Sequence, residues 1–308
     1  MGWLGMKRAV AGVLIVFFLR ASAFAAGGVG CDYLRVEPAA RTAAMSNAFA
    51  GVADDLSALI YNPAGLVNLE SFTISITHFS SFADTNYEYV AMAYPMGKTW
   101  GTLGGSVLVD YTFDFEEYNE FGSVVGNVDN YDIVASVSYA YPVIPGFSIG
   151  ATIKTFYSRL YIYSKNGFAL DAGIQAKLGE DPDTYAGFSI QNIGSQGAYI
   201  DVADPLPMNI KAGLGIRFFP VEFMSVLITA DVNRLFLRED ELPTLDMGTE
   251  CVLYDSICLR AGYGFRHDVA NVSLGLGVIM EKVCFSYAFQ PFDTLGATHR
   301  ISLDIVLK

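Results

Sequence analysis

The stretch Val272-Ser273-Leu274-Gly275-Leu276-Gly277-Val278-Ile279-Met280-Glu281-Lys282-Val283-Cys284-Phe285-Ser286-Tyr287-Ala288-Phe289-Gln290 decides the fold. Val272, Leu274, Leu276, Val278 and Met280 alternate with Ser273, Gly275 and Gly277. Val283, Phe285, Tyr287 and Phe289 then alternate with Cys284, Ser286, Ala288 and Gln290. Successive side chains of a β-strand point to opposite faces, so a period of two gives one apolar face and one small or polar face. Only Glu281 and Lys282 separate the runs, which predicts a tight antiparallel hairpin.

The pattern spreads in both directions. It recurs clearly in residues 131–141, 147–153, 168–178, 210–218, 257–265 and 301–307. Weaker copies occupy 72–76, 87–94, 99–113, 185–193, 222–232 and 245–253. The total is about fourteen segments, many near the ~10 residues of a tilted membrane-spanning strand. A closed barrel of that many strands is too wide for side chains to fill, so apolar residues pointing inward would line a void, whereas pointing outward they meet lipid. A soluble sandwich of the same strands would have edges to cover. The expected fold class is therefore all-β, a transmembrane antiparallel β-barrel of about fourteen strands.

The N-terminus agrees. Lys7 and Arg8 precede a short apolar run, Ala9 to Leu19, and then Ala21-Ser22-Ala23-Phe24-Ala25, the pattern of a secretory signal peptide cut near Ala23 or Ala25. That run is too short to cross a bilayer as a helix. Export plus amphipathic strands points to a bacterial outer membrane. Lipidation at Cys31 is disfavoured, because Gly28-Val29-Gly30 lacks the apolar residue usual three places before such a cysteine. The 308 residues are 52% hydrophobic with a net charge of −13, which argues against nucleic acid as a partner. Acidic runs at Asp114 to Glu117, Glu180 to Asp183 and Glu239 to Glu241 read as solvated loops.

Strand parity weakens a disulfide reading of the four cysteines: Cys251 falls in the outward set, and Cys258 and Cys284 share the lumen side but sit two strands apart. That is roughly 9–10 Å, beyond disulfide reach. Cys31 could pair only if the N-terminal segment delivered it. His78, His267 and His299 are scattered, so no metal site, cofactor or enzyme constellation is expected. If both ends of the barrel lie in the periplasm, connections after odd strands are long and extracellular, at Asp114 to Val128 and Gly194 to Pro207. Those after even strands are short, at Pro142 to Gly146 and at Pro220.

Residues before the first strand differ in kind. Pro38 to Leu66 carries no dyad but many alanines, and reads as short helices and turns. Asn62-Pro63-Ala64-Gly65-Leu66 looks like a capped turn: Asn62 caps, Pro63 occupies the first position where its missing N–H costs nothing, and Gly65 ends it. Such a compact segment fits best inside the lumen as a plug. The expected organisation is signal peptide 1–25, hatch 26–70 and barrel 71–308.

The run Ala43 to Leu66, with its Ala50-Gly51-Val52-Ala53-Asp54-Asp55 stretch followed by Asn62-Pro63-Ala64, resembles the N-terminal hatch of the FadL family of outer-membrane channels. It is more closely similar to the PorV/PorQ-type branch and to FadL-like proteins of spirochaetes. The resemblance implies a plugged fourteen-stranded barrel, passive uptake of long-chain fatty acids or similar hydrophobic small molecules, and lateral exit into membrane lipid through a kinked third strand. Gly101, Gly104 and Gly105 fit such a kink, although glycine also relieves crowding against a plug. Lumen-facing Lys154, Lys211, Arg260, Arg266 and Arg300, with Lys177 and Arg217, could meet a ligand carboxylate, or could pair with Asp110, Asp132, Asp171, Asp231, Asp246, Glu250 and Asp304. Two alternatives stand beside transport: a PorV-like component of protein secretion or surface-protein attachment, with secretion-system or surface proteins as partners, and a structural or adhesive surface protein.

Overall fold

A computed structural model describes residues 30–82, 85–97, 99–236, 242–265, 272–292 and 296–307. The expected signal peptide, Arg266 and His267 lie outside the described residues. Fourteen antiparallel strands close into one barrel: β1 Phe72–Ser80, β2 Asn86–Pro95, β3 Thr102–Tyr118, β4 Val124–Ile144, β5 Phe147–Leu160, β6 Tyr163–Glu180, β7 Asp183–Gln196, β8 Asn209–Val221, β9 Met224–Leu235, β10 Thr244–Leu253, β11 Ile257–Phe265, β12 Val272–Met280, β13 Val283–Phe292 and β14 Gly296–Leu307. Each strand pairs with its sequence neighbours, and β1 closes on β14 from Phe72↔Leu307 to Ser80↔His299. Closure removes every sheet edge.

The dyad sorts as expected. Leu274 and Phe285 lie on the outside, 51% and 43% exposed, while Ser273 and Ser286 are buried inside. The outer face is an apolar band from strand to strand, including Val137, Ile153, Leu214, Ile228 and Leu259, the surface that a bilayer covers. Cys251, Cys258, Cys284 and Cys31 are all free thiols.

One end of the barrel, here the turn end, carries tight connections; β12 to β13 turns at Glu281 and Lys282, as predicted, with Glu281 at φ 46°. The opposite, loop end holds residues 197–208 between β7 and β8. Two loop expectations are corrected. Asp114 to Val128 is mostly strand: β3 runs 17 residues to Tyr118, β4 has 21, and only 119–123 turn. Asn119 closes that turn by accepting hydrogen bonds from the Phe121 and Ser123 amides at 2.9 and 3.0 Å. Tyr118, Val124 and Val125 carry the strand propensity that the neighbouring acids concealed. Pro220 belongs to β8, and the turn that follows is Glu222-Phe223.

Strands β3 to β7 have 14 to 21 residues, whereas β10 to β13 have 9 or 10. At about 3.3 Å per residue, one flank therefore rises well above the other at the loop end. An arginine at Leu276, which sits outward at the centre of β12, should cost about 2–4 kcal/mol. Urea titration of folding into liposomes measures it; Leu276→Arg as stable as the parent would place this face away from lipid.

Candidate functional site

Chain before β1 fills the barrel. Alanines dominate it because a segment packed on all sides has no room for larger groups: Ala40, Ala43, Ala44, Ala48, Ala50, Ala58 and Ala64 are all completely buried. Two short helices form, α1 Ala40–Ala44 and α2 Ala58–Tyr61, and a 3₁₀ turn spans Pro63–Asn68. The wall yields space to match, through lumen-facing glycines. A Cβ on Gly248 would stand 2.6 Å from Met45 Cβ, one on Gly187 would stand 2.9 Å from the Ala50 carbonyl carbon, and one on Gly173 3.1 Å from Asn62 Cγ. Real Cβ contacts are not that short, so hatch backbone meets strand backbone only because these positions lack side chains.

Asn62 holds this contact from the hatch side. Its Oδ1 accepts from the Ala64 amide at 3.3 Å, the cap the sequence predicts. Its Nδ2 also donates to Ala50 O at 3.0 Å inside the hatch and to Ile174 O on β6 at 2.9 Å. Pro63 and Ala64 sit against Gly150, and Ser148 on β5 donates to Ala64 O at 2.9 Å. Gly65 does not end the turn, which continues to Asn68; it is glycine because the Ala53 backbone lies against it.

Ionic groups fasten the hatch near the turn end. Arg41 grips Glu250 of β10 through two nitrogens, Nε at 2.9 Å and Nη2 at 2.7 Å, and holds Asp54 and Asp55 at 2.6 and 2.8 Å. Arg217 on β8 reaches Asp54 at 2.6 Å, and Arg260 on β11 reaches Glu250 at 2.6 Å. Three guanidinium groups thus meet three carboxylates. Burial works to raise the Asp54 carboxyl, but Arg41 and Arg217 outweigh it and hold Asp54 well below the usual carboxylate range. A cavity of about 10 Å³ lies beside this cluster, lined by Arg41, Asp55, Ser75 and Asp304 among others, room for about one water. Asp231 on β9 adds a neighbouring attachment, accepting from the amides of Phe49 and Ala50 at 2.7 and 2.6 Å.

At the loop end the hatch begins beside the outer loop. Gly30 N donates to Pro205 O at 3.2 Å, the Cys31 thiol donates to Gln196 Oε1 at 2.6 Å, and Leu206 of the loop is buried in the same core as Tyr33 and Leu34. Burial pushes the Cys31 thiol up, so it is a poor nucleophile. Facing this part of the lumen are the Phe79–Tyr87 stack, 4.7 Å between centroids, and Phe156, edge-on to Tyr33 at 5.9 Å.

Of the lumen cations expected from parity, Lys154 pairs with Asp171 at 2.7 Å across β5 and β6, Arg260 with Glu250, and Lys177 with Asp183 at 2.7 Å. Lys211 pairs with Glu37 of the hatch. Arg300 has no carboxylate within ion-pair distance among the described residues; its Nη1 donates to Gln290 Oε1 and Thr298 Oγ1, and its Nε has no acceptor. Glu37, Asp54 and Asp55 are the partners that parity does not reveal, because they lie outside the strands. The ladders of β3 run unbroken through Gly104 and Gly105 on both sides, from Pro95↔Thr102 to Asn86↔Tyr111 on β2 and from Thr102↔Ala140 to Thr112↔Asn130 on β4. The first register shift of that ladder follows Thr112. Gly104 faces the hatch, where a Cβ would meet Leu59 Cδ2 at 2.8 Å, and Gly101 precedes the strand at φ +71°.

Three outcomes follow from these contacts. Asn62→Ala removes the bonds to the Ala50 and Ile174 carbonyls as well as uncapping Ala64, a loss on the order of 1–3 kcal/mol. Hydrogen exchange across Ala48 to Leu59 should rise while heat-modifiable migration of the barrel on gels stays unchanged. Arg41→Gln leaves Asp55 without its cation and takes one of two partners from Asp54 and Glu250, a loss of about 3 kcal/mol, and should raise conductance in planar bilayers. Because the folded Asp54 carboxyl is depressed, its contribution is complete above the unfolded value near ~3.9 and fades as pH falls through the lower folded value. Conductance of the parent should therefore rise in strong acid, where the Asp54 carboxylate takes up its proton.

No curated protein matches the chain. Among solved structures it is similar to the Ralstonia pickettii toluene transporter TbuX, at 12% identity over 87% of this chain and 98% of that one, TM-score 0.58. It is likewise similar to the Pseudomonas putida toluene transporter TodX, at 13% identity over 85% and 96%, TM-score 0.56. A FadL homologue from Pseudomonas aeruginosa is similar at 12% identity over 86% and 97%, TM-score 0.53. At these identities the likeness is one of fold, a closed antiparallel β-barrel. Residues 27–306 match one family model across nearly the whole chain, and the protein belongs to the family described as Uncharacterised protein family (UPF0164).

Proposed function

We propose that this protein is an outer-membrane channel, not an enzyme, through which long-chain fatty acids or similar hydrophobic small molecules pass without energy input. The observation that carries the reading is the combination of an apolar exterior with a lumen closed by a hatch whose loop-end side is aromatic. A water-filled porin needs no such closure. Solved barrels of similar fold include channels named for toluene and for monoaromatic hydrocarbons. In this reading residues 1–25 are a signal peptide removed on export, residues 26–70 are the hatch, and the ligand arrives from the loop end.

A second reading has its own observation. The tall β3–β4 hairpin exposes Phe121 at 83% and Tyr118 at 58% beside Glu116 and Glu120, a surface suited to a protein partner in secretion or surface attachment. Uptake separates the two. Proteoliposomes holding the protein should take up a fluorescent long-chain fatty acid faster than empty vesicles, and Arg41→Gln should change the rate. Uptake equal to that of empty vesicles, with loss of partner association when 119–123 is replaced, would favour the second reading.

A further inference from the structure

Two buried cations in the loop-end lumen lie around one hatch carboxylate, Glu37, which pairs with only one of them. Lys211 on β8 is 5% exposed; its ammonium pairs with Glu37 and lies 4.5 Å from the centroid of the Tyr61 ring. Arg300 on β14 is also 5% exposed, with its guanidinium 3.9 Å over the Phe79 ring. Its hydrogen bonds go to neutral groups, Gln290 Oε1 at 3.2 Å and Thr298 Oγ1 at 3.1 Å, and its Nε is unpartnered. Glu37 and Tyr61 of the hatch are within electrostatic reach of it. Buried charges are ordinarily paired, since an uncompensated one carries its desolvation cost alone. Here the wall supplies both cations, and Glu37 of the hatch is the carboxylate that reaches both electrostatically.

We infer that Lys211 and Arg300 form a head-group site for an amphipathic carboxylate, that Glu37 occupies it in the closed protein, and that an entering ligand exchanges with Glu37; this rests on the hydrophobic-ligand channel proposed above. A carboxylate for a carboxylate keeps the head-group interactions nearly even, so the surplus comes from the tail, for which the Phe79–Tyr87 stack provides an apolar shelf. Arg300, Phe79 and Tyr87 are consecutive cross-strand partners on β14, β1 and β2. Beyond Tyr87 the same row reaches Asp110 and Asp132, which repel an anion, so the head group has one favourable end. A neutral hydrocarbon gains nothing at Arg300 and leaves Glu37 in place. Exchange also frees the stretch between Leu34 and α1 from the wall, which ties ligand charge to hatch position.

Binding of oleic acid and of oleyl alcohol to the purified full-length protein in nanodiscs tests this, with heat-modifiable migration confirming a folded barrel for each variant. Glu37→Gln, close to isosteric, removes the internal competitor and should tighten oleic acid about tenfold (~1.4 kcal/mol) while leaving oleyl alcohol unchanged. Arg300→Gln and Lys211→Gln should abolish the preference for acid over alcohol. Equal tightening of both ligands by Glu37→Gln would mean a merely loosened hatch and overturn the exchange. No tightening of oleic acid would also overturn it, with the channel reading intact if both ligands bind. Failure of either ligand to bind the parent or any variant would sink the channel reading together with this one.

Discussion

Everything in this molecule depends on how a fourteen-stranded circle is filled. Such a barrel leaves an interior wider than the side chains of its own wall can close, so a second piece of backbone has to pack inside. Backbone can approach backbone that closely only where neither carries a side chain, and the wall meets the requirement at Gly173, Gly187, Gly213 and Gly248. The alanines of the hatch meet it from within. Close approach then strips water from the polar groups on both sides, which is why Asn62, Asp231, Ser148 and Ser189 make hydrogen bonds to hatch backbone.

Two different physical regimes divide the lumen along its axis. Toward the turn end, guanidinium and carboxylate groups balance one another, with Arg41 as the shared partner. Asp54 and Glu250 each have two cationic partners, so several contacts must break together and that end is stiff. Toward the loop end, aromatic rings and an incompletely matched set of charges replace the balanced cluster. Fewer contacts there are obligatory. A ligand admitted from that side meets the softer part of the plug first.

The strands were legible in the sequence because lipid outside and polar groups inside impose a period of two, and Val272 to Gln290 keeps it on both sides of the turn except at Ile279. The cap at Asn62 was legible for a similarly local reason. What the sequence hid was non-local or out of context. The loop-end extensions of β3 and β4 stand beyond the apolar band, where no lipid enforces alternation, so Asp114 to Val128 read as loop. Parity placed Arg300 and Lys211 in the lumen but could not say that one would pair with Glu37 and the other with no carboxylate, since the hatch has no period to register against the wall. At Gly104 a bend in the strand and clearance for the plug select the same residue, and only the fold shows that Leu59 is the group it faces.

The path of the hatch has a topological meaning. Gly30 is bonded to Pro205 at one mouth, and Leu69 leads into β1 at the other, so the chain is threaded lengthwise through a ring that its own last strand closes. A free cork can leave by either mouth; this segment is continuous with β1 at the turn end, so it can leave only by being drawn back through that mouth, which would break the Arg41–Glu250 pair, the Asp231 contacts and the Asn62–Ile174 bond together. Traffic that leaves those contacts intact has to go around the thread, by local shifts of a few residues.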